Sequence, residues 1–149
     1  MFLAPLRDDQ DMTDSSYSGL EEMTREECLE RLNSAHVGRI GATVEFRPFI
    51  FPVNFRMYGN KILIRSVPGT KLDAALSGQV VAFEIDGFTD DGVAGWSVLV
   101  RGSADEVTDP EERAKAEEVE IHNNAFDEQP ERIVLISTAG MSGRRFDHS

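Results

Sequence analysis

Alternating apolar and polar positions along the chain predict a series of short β-strands. The clearest case is Lys61–Ser66, where Ile62 and Ile64 fall on one face and Leu63 and Arg65 on the other. Further strands are predicted over residues 36–44, 49–57, 79–86, 96–107 and 132–137. Because short strands follow one another through turns and the helices lie at the margins, the pattern predicts a mainly β protein, an antiparallel barrel with peripheral helices.

Proline and glycine mark where these strands break. Pro52 interrupts the strand predicted over residues 49–57, and because proline cannot donate a ladder hydrogen bond, it predicts an edge strand or a bulge. Tyr58-Gly59-Asn60 predicts a hairpin turn, and Asp86-Gly87 predicts a turn that ends the strand before it. Gly102 predicts a bulge or close packing inside the longest strand.

A capping motif predicts the start of the first helix. Thr24, followed three residues later by Glu27, fits a capping box. Cys28, Leu29 and Leu32 then recur at helical spacing and form one apolar face. Cys28 is therefore predicted to be a small buried hydrophobe rather than a reactive thiol. Two more helices are predicted, a short one that ends at Gly78 and an acidic one over residues 109–123.

Composition narrows the class of protein. The chain has 149 residues, of which 40% are hydrophobic and 28% charged, as is usual for one globular domain. Residues 1–20 show no sustained apolar period and are predicted to form a flexible N-terminal arm, which leaves residues 21–149 as the domain. The net charge of −12 disfavours binding to nucleic acid or to an anionic membrane.

The sequence carries no signal for a metal site or for export. Cys28 is the single cysteine, so no intramolecular disulfide can form, and no Cys/His cluster has the spacing of a zinc site. No apolar run approaches membrane-spanning length, and the apolar start of the chain turns acidic too early for a signal peptide. We therefore expect a cytoplasmic protein.

The loop Ser66-Val67-Pro68-Gly69-Thr70-Lys71 is the strongest candidate for chemistry. It brings two hydroxyls, a glycine and a lysine to a predicted helix start, where unpaired backbone N–H groups favour an anion. Gly69 lets the backbone approach a ligand closely, and Lys71 adds a full positive charge. The loop is thus predicted to hold a phosphate. The alternative is that Ser66 or Thr70 only caps the helix and that Lys71 is solvated.

Three motifs in order resemble the FMN-binding split-barrel proteins of the pyridoxamine 5'-phosphate oxidase-like group, including small bacterial members linked to nitroimidazole reduction. The first is Phe51-Pro52-Val53-Asn54-Phe55, the second is Ile64-Arg65-Ser66 followed by Gly69-Thr70-Lys71, and the third is residues 95–102, Gly-Trp-Ser-Val-Leu-Val-Arg-Gly. The resemblance extends from about Thr24 to Phe146. It implies an antiparallel split barrel and a homodimer with FMN between the subunits.

The resemblance also implies which residues contact the cofactor. The strand along the flavin ring supplies Pro52, Val53, Asn54 and Phe55. The phosphate and its ribityl tail are held by Arg65, Ser66, Thr70 and Lys71. The second subunit contributes Trp96 and Ser97. Trp96 is predicted to pack at the dimer interface, which adjoins the flavin in this family.

The chain also departs from the oxidases that act on the vitamin. Those enzymes usually carry a basic residue where Asn54 or Phe55 stands and an arginine in place of Thr70. They also close over the substrate with a C-terminal segment that contains tryptophan and arginine, whereas Arg144 and Arg145 are here without a tryptophan. Vitamin oxidation is therefore disfavoured. We predict that the two arginines lie in a solvated tail, with contacts to an anionic substrate as the alternative.

The function implied is that of an FMN-dependent oxidoreductase acting on a small planar redox substrate. No side-chain acid, base or nucleophile is indicated, which suits a reaction carried by the cofactor. Three alternatives stay open: a module that binds flavin without turnover, the same fold with a deazaflavin or haem, and a structural dimer with a degenerate pocket.

Overall fold

The computed structural model describes residues 19–121 and 131–149. In these two ranges the chain forms nine strands and three helices: β1 Leu20–Glu22, α1 Arg25–Ser34, β2 Val37–Val44, β3 Arg47–Asn54, β4 Arg56–Tyr58, β5 Lys61–Ser66, α2 Lys71–Ala75, β6 Val80–Phe88, β7 Ala94–Glu106, α3 Pro110–Glu117, β8 Arg132–Ile136 and β9 Gly140–Asp147. The strands form one curled sheet in the order β3-β2-β6-β7-β8-β5-β4, and β9 pairs with β7 and β1. These pairs are antiparallel, which confirms the mainly β, antiparallel split barrel.

The long strand β7 connects the two halves of the sheet. Most of its length pairs with β6 and β9, whereas its last three residues, 104–106, pair with β8. Gly102 lies just before this change of partner, and a β-carbon there would come within 2.1 Å of the Ser137 carbonyl oxygen. The predicted close packing at Gly102 is therefore confirmed.

Alternation along β5 separates two apolar clusters. Ile62 and Ile64 lie in the main core, while Leu63 packs in a smaller cluster beneath α3. Phe55 and Phe83 meet edge to face in the main core, with ring centroids 4.9 Å apart, and both are fully buried. Full burial of such a side chain contributes about 1.5–3 kcal/mol. The two faces predicted for β5 are confirmed.

The strand predicted over residues 49–57 breaks three residues later than expected. Pro52 continues in β3, opposite Arg39, and the break falls at Phe55 between β3 and β4. The Phe55 side chain turns into the core, and its backbone N–H donates to the His36 carbonyl. The edge position predicted from Pro52 is confirmed, because β3 lies at one end of the strand order.

The turn predicted at Asp86-Gly87 is wrong. Strand β6 continues to Phe88, and Gly87 stands opposite Trp96 in its ladder with β7. Glycine is favoured there because a β-carbon would lie 2.6 Å from the indole Nε1, so the ring would have to shift. The glycine thus provides room for a neighbouring aromatic ring and does not end the strand.

Local signals at the first helix are confirmed, and the acidic helix is shorter than predicted. The Thr24 hydroxyl accepts from the Glu27 N–H, and Cys28 is buried, which raises the pKa of its thiol.

The helix α3 ends at Glu117, where the Arg65 guanidinium donates to the Glu117 and Val119 carbonyls and so satisfies its last turn. Residues 122–123 of the prediction lie outside the described residues.

The C-terminal tail prediction is wrong. Arg144 and Arg145 belong to strand β9, which pairs with β7 on one side and with β1 on the other. Arg145 forms ion pairs with Glu21 and Glu27, so it joins β9 to β1 and α1.

Residues 1–18 of the predicted arm lie outside the described residues. In the described part of the chain, every helix is too short or too polar to span a bilayer.

Candidate functional site

The Ser66–Lys71 loop closes around a carboxylate of its own chain. Asp73, in the first turn of α2, is 6% exposed. Its Oδ1 accepts from the Ser66 hydroxyl at 3.0 Å, and its Oδ2 accepts from the Gly69 N–H at 3.2 Å. Arg132 on β8 donates to the same Oδ2 at 2.9 Å. Asp73 is thus a buried, charge-paired acceptor at the centre of the loop.

Thr70 caps α2, as the alternative interpretation of the loop predicted. Its hydroxyl accepts from the Asp73 N–H at 3.1 Å and donates to the Val67 carbonyl at 2.8 Å. The predicted phosphate donors Ser66, Gly69 and Thr70 therefore all have acceptors within the protein. Sequence analysis missed Asp73, although its spacing from Thr70 fits a capping box.

One side of the loop is open and carries a cation. Gly69 has φ +85°, and nothing lies within 4 Å of where its β-carbon would be. Lys71 is exposed, with its Nζ 5.0 Å from the Phe49 ring centroid, and it forms no ion pair with a carboxylate of the described residues. Since α2 has only five residues, its dipole is small. Attraction of an anion to this side depends on Lys71.

Arg65 points away from the Asp73 side of the loop. It alternates with Ser66 along β5 and faces α3, where its Nη1 lies 3.8 Å from Glu131 and its Nη2 donates to two carbonyls. Its Nε is buried and makes no hydrogen bond within the described residues. The structure therefore does not bring Arg65 together with Ser66, Thr70 and Lys71.

The four predicted contacts on β3 and its end divide between two faces of the sheet. Val53 and Phe55 point inward, with exposures of 7% and 0%, so only their backbone groups can reach a ligand outside the barrel. Pro52 is exposed and Asn54 half-buried on the outward face. At Phe55 the backbone groups are used within the chain, because the N–H donates to the His36 carbonyl and the carbonyl accepts from Arg56.

Strand register brings Ser97 to the same outward face as Pro52 and Asn54. Pro52 on β3 pairs with Arg39 on β2, and Arg39 pairs with Glu84 on β6. Glu84 pairs in turn with Leu99 on β7, so these four residues lie side by side across the sheet. Ser97 follows two residues before Leu99 and shares its face. Trp96 alternates to the inner side of β7, where the Arg31 guanidinium lies 4.4 Å from its ring centroid. The two β7 residues therefore do not present their side chains to one ligand surface.

A carboxyl group with a raised pKa also lies on the outward face. Arg39 Nη1 is 3.4 Å from both Glu84 Oε1 and Asp86 Oδ2. Partial burial, and then the hydrogen bond and negative charge of Asp86, raise the pKa of Glu84 to about 7, while Arg39 opposes the shift. Glu84 and Asp86 share a face of β6 because they are two residues apart, but Arg39 joins them only through the β2–β6 register, which the sequence does not reveal.

Comparison with known proteins identifies the family. A profile of the family described as pyridoxamine 5'-phosphate oxidase matches residues 24–145. The chain belongs to this family. The FAD binding protein from Mycobacterium smegmatis is 33% identical, with a TM-score of 0.77 over 87% of this chain and 100% of that one. The resemblance inferred from the three motifs is thereby confirmed.

Two other relatives extend the comparison. An uncharacterized protein of Mycobacterium tuberculosis is 35% identical over 99 residues, which cover 63% of this chain and 65% of its own length. The alignment thus spans less than two thirds of that relative. A FAD-binding protein from Mesorhizobium loti, 20% identical with a TM-score of 0.66 over 85% of this chain and 96% of that one, shares the fold.

Proposed function

We propose that this chain is a flavoprotein that binds FMN or FAD on the outer side of its barrel and uses it as an oxidoreductase. The observation that carries the proposal is family membership over residues 24–145, together with the FAD binding protein of M. smegmatis, whose whole length is matched. FMN is the flavin that the motifs imply, and FAD is the flavin of that relative.

Three features of the described residues fit a flavin: the outward side chains of β3, the open side of the loop at Gly69, and the positive charge of Lys71. The edge strand β3 offers outward side chains at Pro52 and Asn54. The open side of the loop at Gly69 gives access to its backbone, and Lys71 supplies a cation. Ser66, Thr70 and Arg65 hold the loop and α3 in place and do not offer their side chains freely.

A homodimer follows from the same proposal. Two large apolar side chains are exposed along β3 and the turn before it, Phe46 at 99% and Ile50 at 75%. Phe46 is held at φ 65°, a conformation that non-glycine residues rarely adopt. Large apolar side chains that are exposed at a sheet edge are typical of a surface that another chain covers. We propose that a second copy covers them, that Ser97 of that copy reaches the flavin, and that the dimer is cytoplasmic.

Bound flavin would supply the redox chemistry, passing electrons from a donor to a small planar acceptor. The protein's part is to bind and orient the ring and to control protons near it. Glu84 is a group on the outward face whose raised pKa lets it hold a proton near neutral pH, because partial burial and then Asp86 disfavour its ionisation. Arg39, between the two carboxylates, keeps them in position.

Absorbance spectra test the proposal directly. The purified protein is scanned as isolated and again after addition of FMN or FAD and removal of excess ligand. The expected result is retention of the visible bands of oxidised flavin at one flavin per chain. A Soret band would identify haem instead, and absence of uptake at micromolar flavin would contradict the proposal.

Turnover separates an enzyme from a module that only holds flavin. The loaded protein is reduced with NADH or NADPH and mixed with quinones or nitroaromatics under anaerobic conditions. An oxidoreductase is expected to pass electrons to an acceptor faster than the same concentration of free flavin. Rates equal to those of free flavin for all acceptors would favour the binding module.

A further inference from the structure

We propose that Glu84 takes up a proton when negative charge is added to the outward face of the barrel, so that reduction of the bound flavin is coupled to proton uptake by the protein. This role rests on the proposed flavin binding and goes beyond it by naming the residue that makes the reduction potential depend on pH. It follows from the charges around Glu84 and from where the strand register places them.

The described residues of the outward face place two carboxylates around one arginine, between β2 and β6. Arg39 Nη1 lies 3.4 Å from Glu84 Oε1 and 3.4 Å from Asp86 Oδ2, so one cation is shared between two acids. The side chains of Glu84 and Asp86 are 35% and 23% exposed, so water screens their mutual repulsion incompletely. The cluster is neutral when Glu84 is protonated and carries one negative charge when both acids are ionised.

The neighbouring strands leave this charge balance in place. On β7, Leu99 stands directly opposite Glu84, with Ser97 and Arg101 two residues to either side on the same face, and Arg144 on β9 stands beyond Ser97. Partial burial raises the pKa of Glu84 most, Asp86 raises it further, and Arg39 lowers it. The charges that act on Glu84 are thus those of the cluster itself.

Strand register also places the cluster beside the strand that is proposed to line the flavin. Arg39 pairs with Pro52 on β3. Neighbouring strands lie about 4.8 Å apart, so Glu84, two strands from Pro52, is about 10 Å from it. Asp86 pairs with Ser97, which is proposed to reach the flavin of a second copy. Partly buried charges still interact over such distances, so charge added at either place acts on Glu84.

Reduction adds the negative charge to which Glu84 responds. Hydride transfer from a reduced nicotinamide to the bound flavin brings two electrons and one proton, and thus one negative charge, to this face. That charge disfavours the Glu84 carboxylate further. Glu84 therefore takes a proton from water, which forms an O–H bond on its carboxylate and leaves the charge of the face unchanged. On reoxidation by an acceptor this O–H bond breaks and the carboxylate forms again.

Reduction potentials of the flavin-loaded protein, measured by spectroelectrochemistry between pH 5.5 and 8.5, test this coupling. Each additional proton taken up per two electrons changes the equilibrium constant tenfold, and the midpoint potential by about 30 mV, per pH unit. Glu84→Gln imitates the protonated side chain. We expect its potential to match that of the unmodified protein below pH 6 and to be about 30 mV higher at pH 8, because only the unmodified protein must then take up the additional proton.

The matched control is Glu112→Gln, which removes an exposed carboxylate on α3 and should follow the unmodified protein at every pH. Infrared difference spectra at pH 8 add a readout that a merely structural role would not change. A carboxylic acid carbonyl band should appear on reduction of the unmodified protein and of the Glu112 variant, and it should be missing in Glu84→Gln.

Each outcome supports or overturns the coupling. Equal pH slopes for the unmodified protein and Glu84→Gln, or a constant offset at every pH, overturn it, and so does an equal change in Glu112→Gln. If Glu84→Gln does not fold, Arg39→Gln provides the test, because loss of the shared cation raises the pKa of Glu84 and should move the steeper part of the curve to higher pH. If the unmodified protein takes up no flavin, the proposed function itself fails, whereas a loaded protein without the Glu84-dependent slope contradicts the proton coupling alone.

Discussion

The indole ring of Trp96 lies against Gly87 on the neighbouring strand, so closely that a β-carbon on Gly87 would come within 2.6 Å of Nε1 and 2.8 Å of Cε2. The next ladder pair repeats the arrangement in the opposite sense, since a β-carbon on Gly95 would meet the Phe88 ring at 2.4 Å. Two glycines thus let two aromatic rings lie flat across the β6–β7 ladder.

Gly87→Ala is expected to destabilise the protein by about 1–3 kcal/mol, because the added methyl group must displace the Trp96 ring that lies against Gly87. Chemical denaturation monitored by Trp96 fluorescence gives the free energy of unfolding. Gly41→Ala on β2 is the control, since its β-carbon would meet nothing closer than 3.6 Å. Equal stability of the Gly87 and Gly41 variants would show that the ring moves aside at no cost.

The sequence predicts those strands whose signal lies within a few neighbouring residues, and it does not predict strands that are held by distant partners. Strand β5 and its hairpin follow from alternation and a glycine turn within ten residues, and both were predicted. Strand β9 was not, because its Arg144-Arg145 segment is polar and is held by β7 and by carboxylates more than a hundred residues away. Pairing partners at that separation leave no periodic signal in the strand itself.

The candidate site likewise has some features that local spacing predicts and others that depend on contacts between distant elements. The Thr70 cap follows from local spacing, and the sequence also contained the signal for Asp73, which went unused. The outward face shared by Pro52, Asn54 and Ser97 requires the register of four strands. The occupation of loop donors by Asp73 requires the contact of α2 with Ser66 and Arg132. Residue types suggested an anion site, and only the contacts show which donors are already used.

Lys71→Ala is expected to weaken binding of FMN and FAD about ten- to a hundredfold while leaving riboflavin affinity unchanged, because a hydrogen bond to a charged group contributes about 1.5–3 kcal/mol. Equilibrium titration with the three ligands measures the effect. Lys61→Ala, at the opposite end of β5, is the control for loss of one exposed positive charge. A loss of riboflavin affinity as large as that of FMN would assign Lys71 to the ring instead of the phosphate.

The raised pKa of Glu84 predicts that folding stability falls as pH rises toward and through 7. Between the ordinary carboxyl pKa near 4.5 and the folded value of about 7, the native state binds a proton that the unfolded chain has released. Stability that depends on this proton is complete at low pH and is lost as pH rises through the folded pKa. Glu84→Gln carries no titrating group at this position, so its stability is expected to vary less between pH 5.5 and 8.

Denaturation midpoints at pH 5.5, 6.5, 7.5 and 8 in dilute salt measure this difference, with Glu30→Gln on the exposed face of α1 as the control. The Glu84 variant should gain stability relative to the unmodified protein as pH rises, because the unmodified chain then holds two ionised carboxylates beside one arginine. The Glu30 variant should run parallel to the unmodified protein. Parallel curves for all three proteins would mean that Arg39 neutralises the Glu84–Asp86 pair and that Glu84 ionises as an ordinary carboxylate, which would also remove it as the proton-holding group of the proposed flavin site.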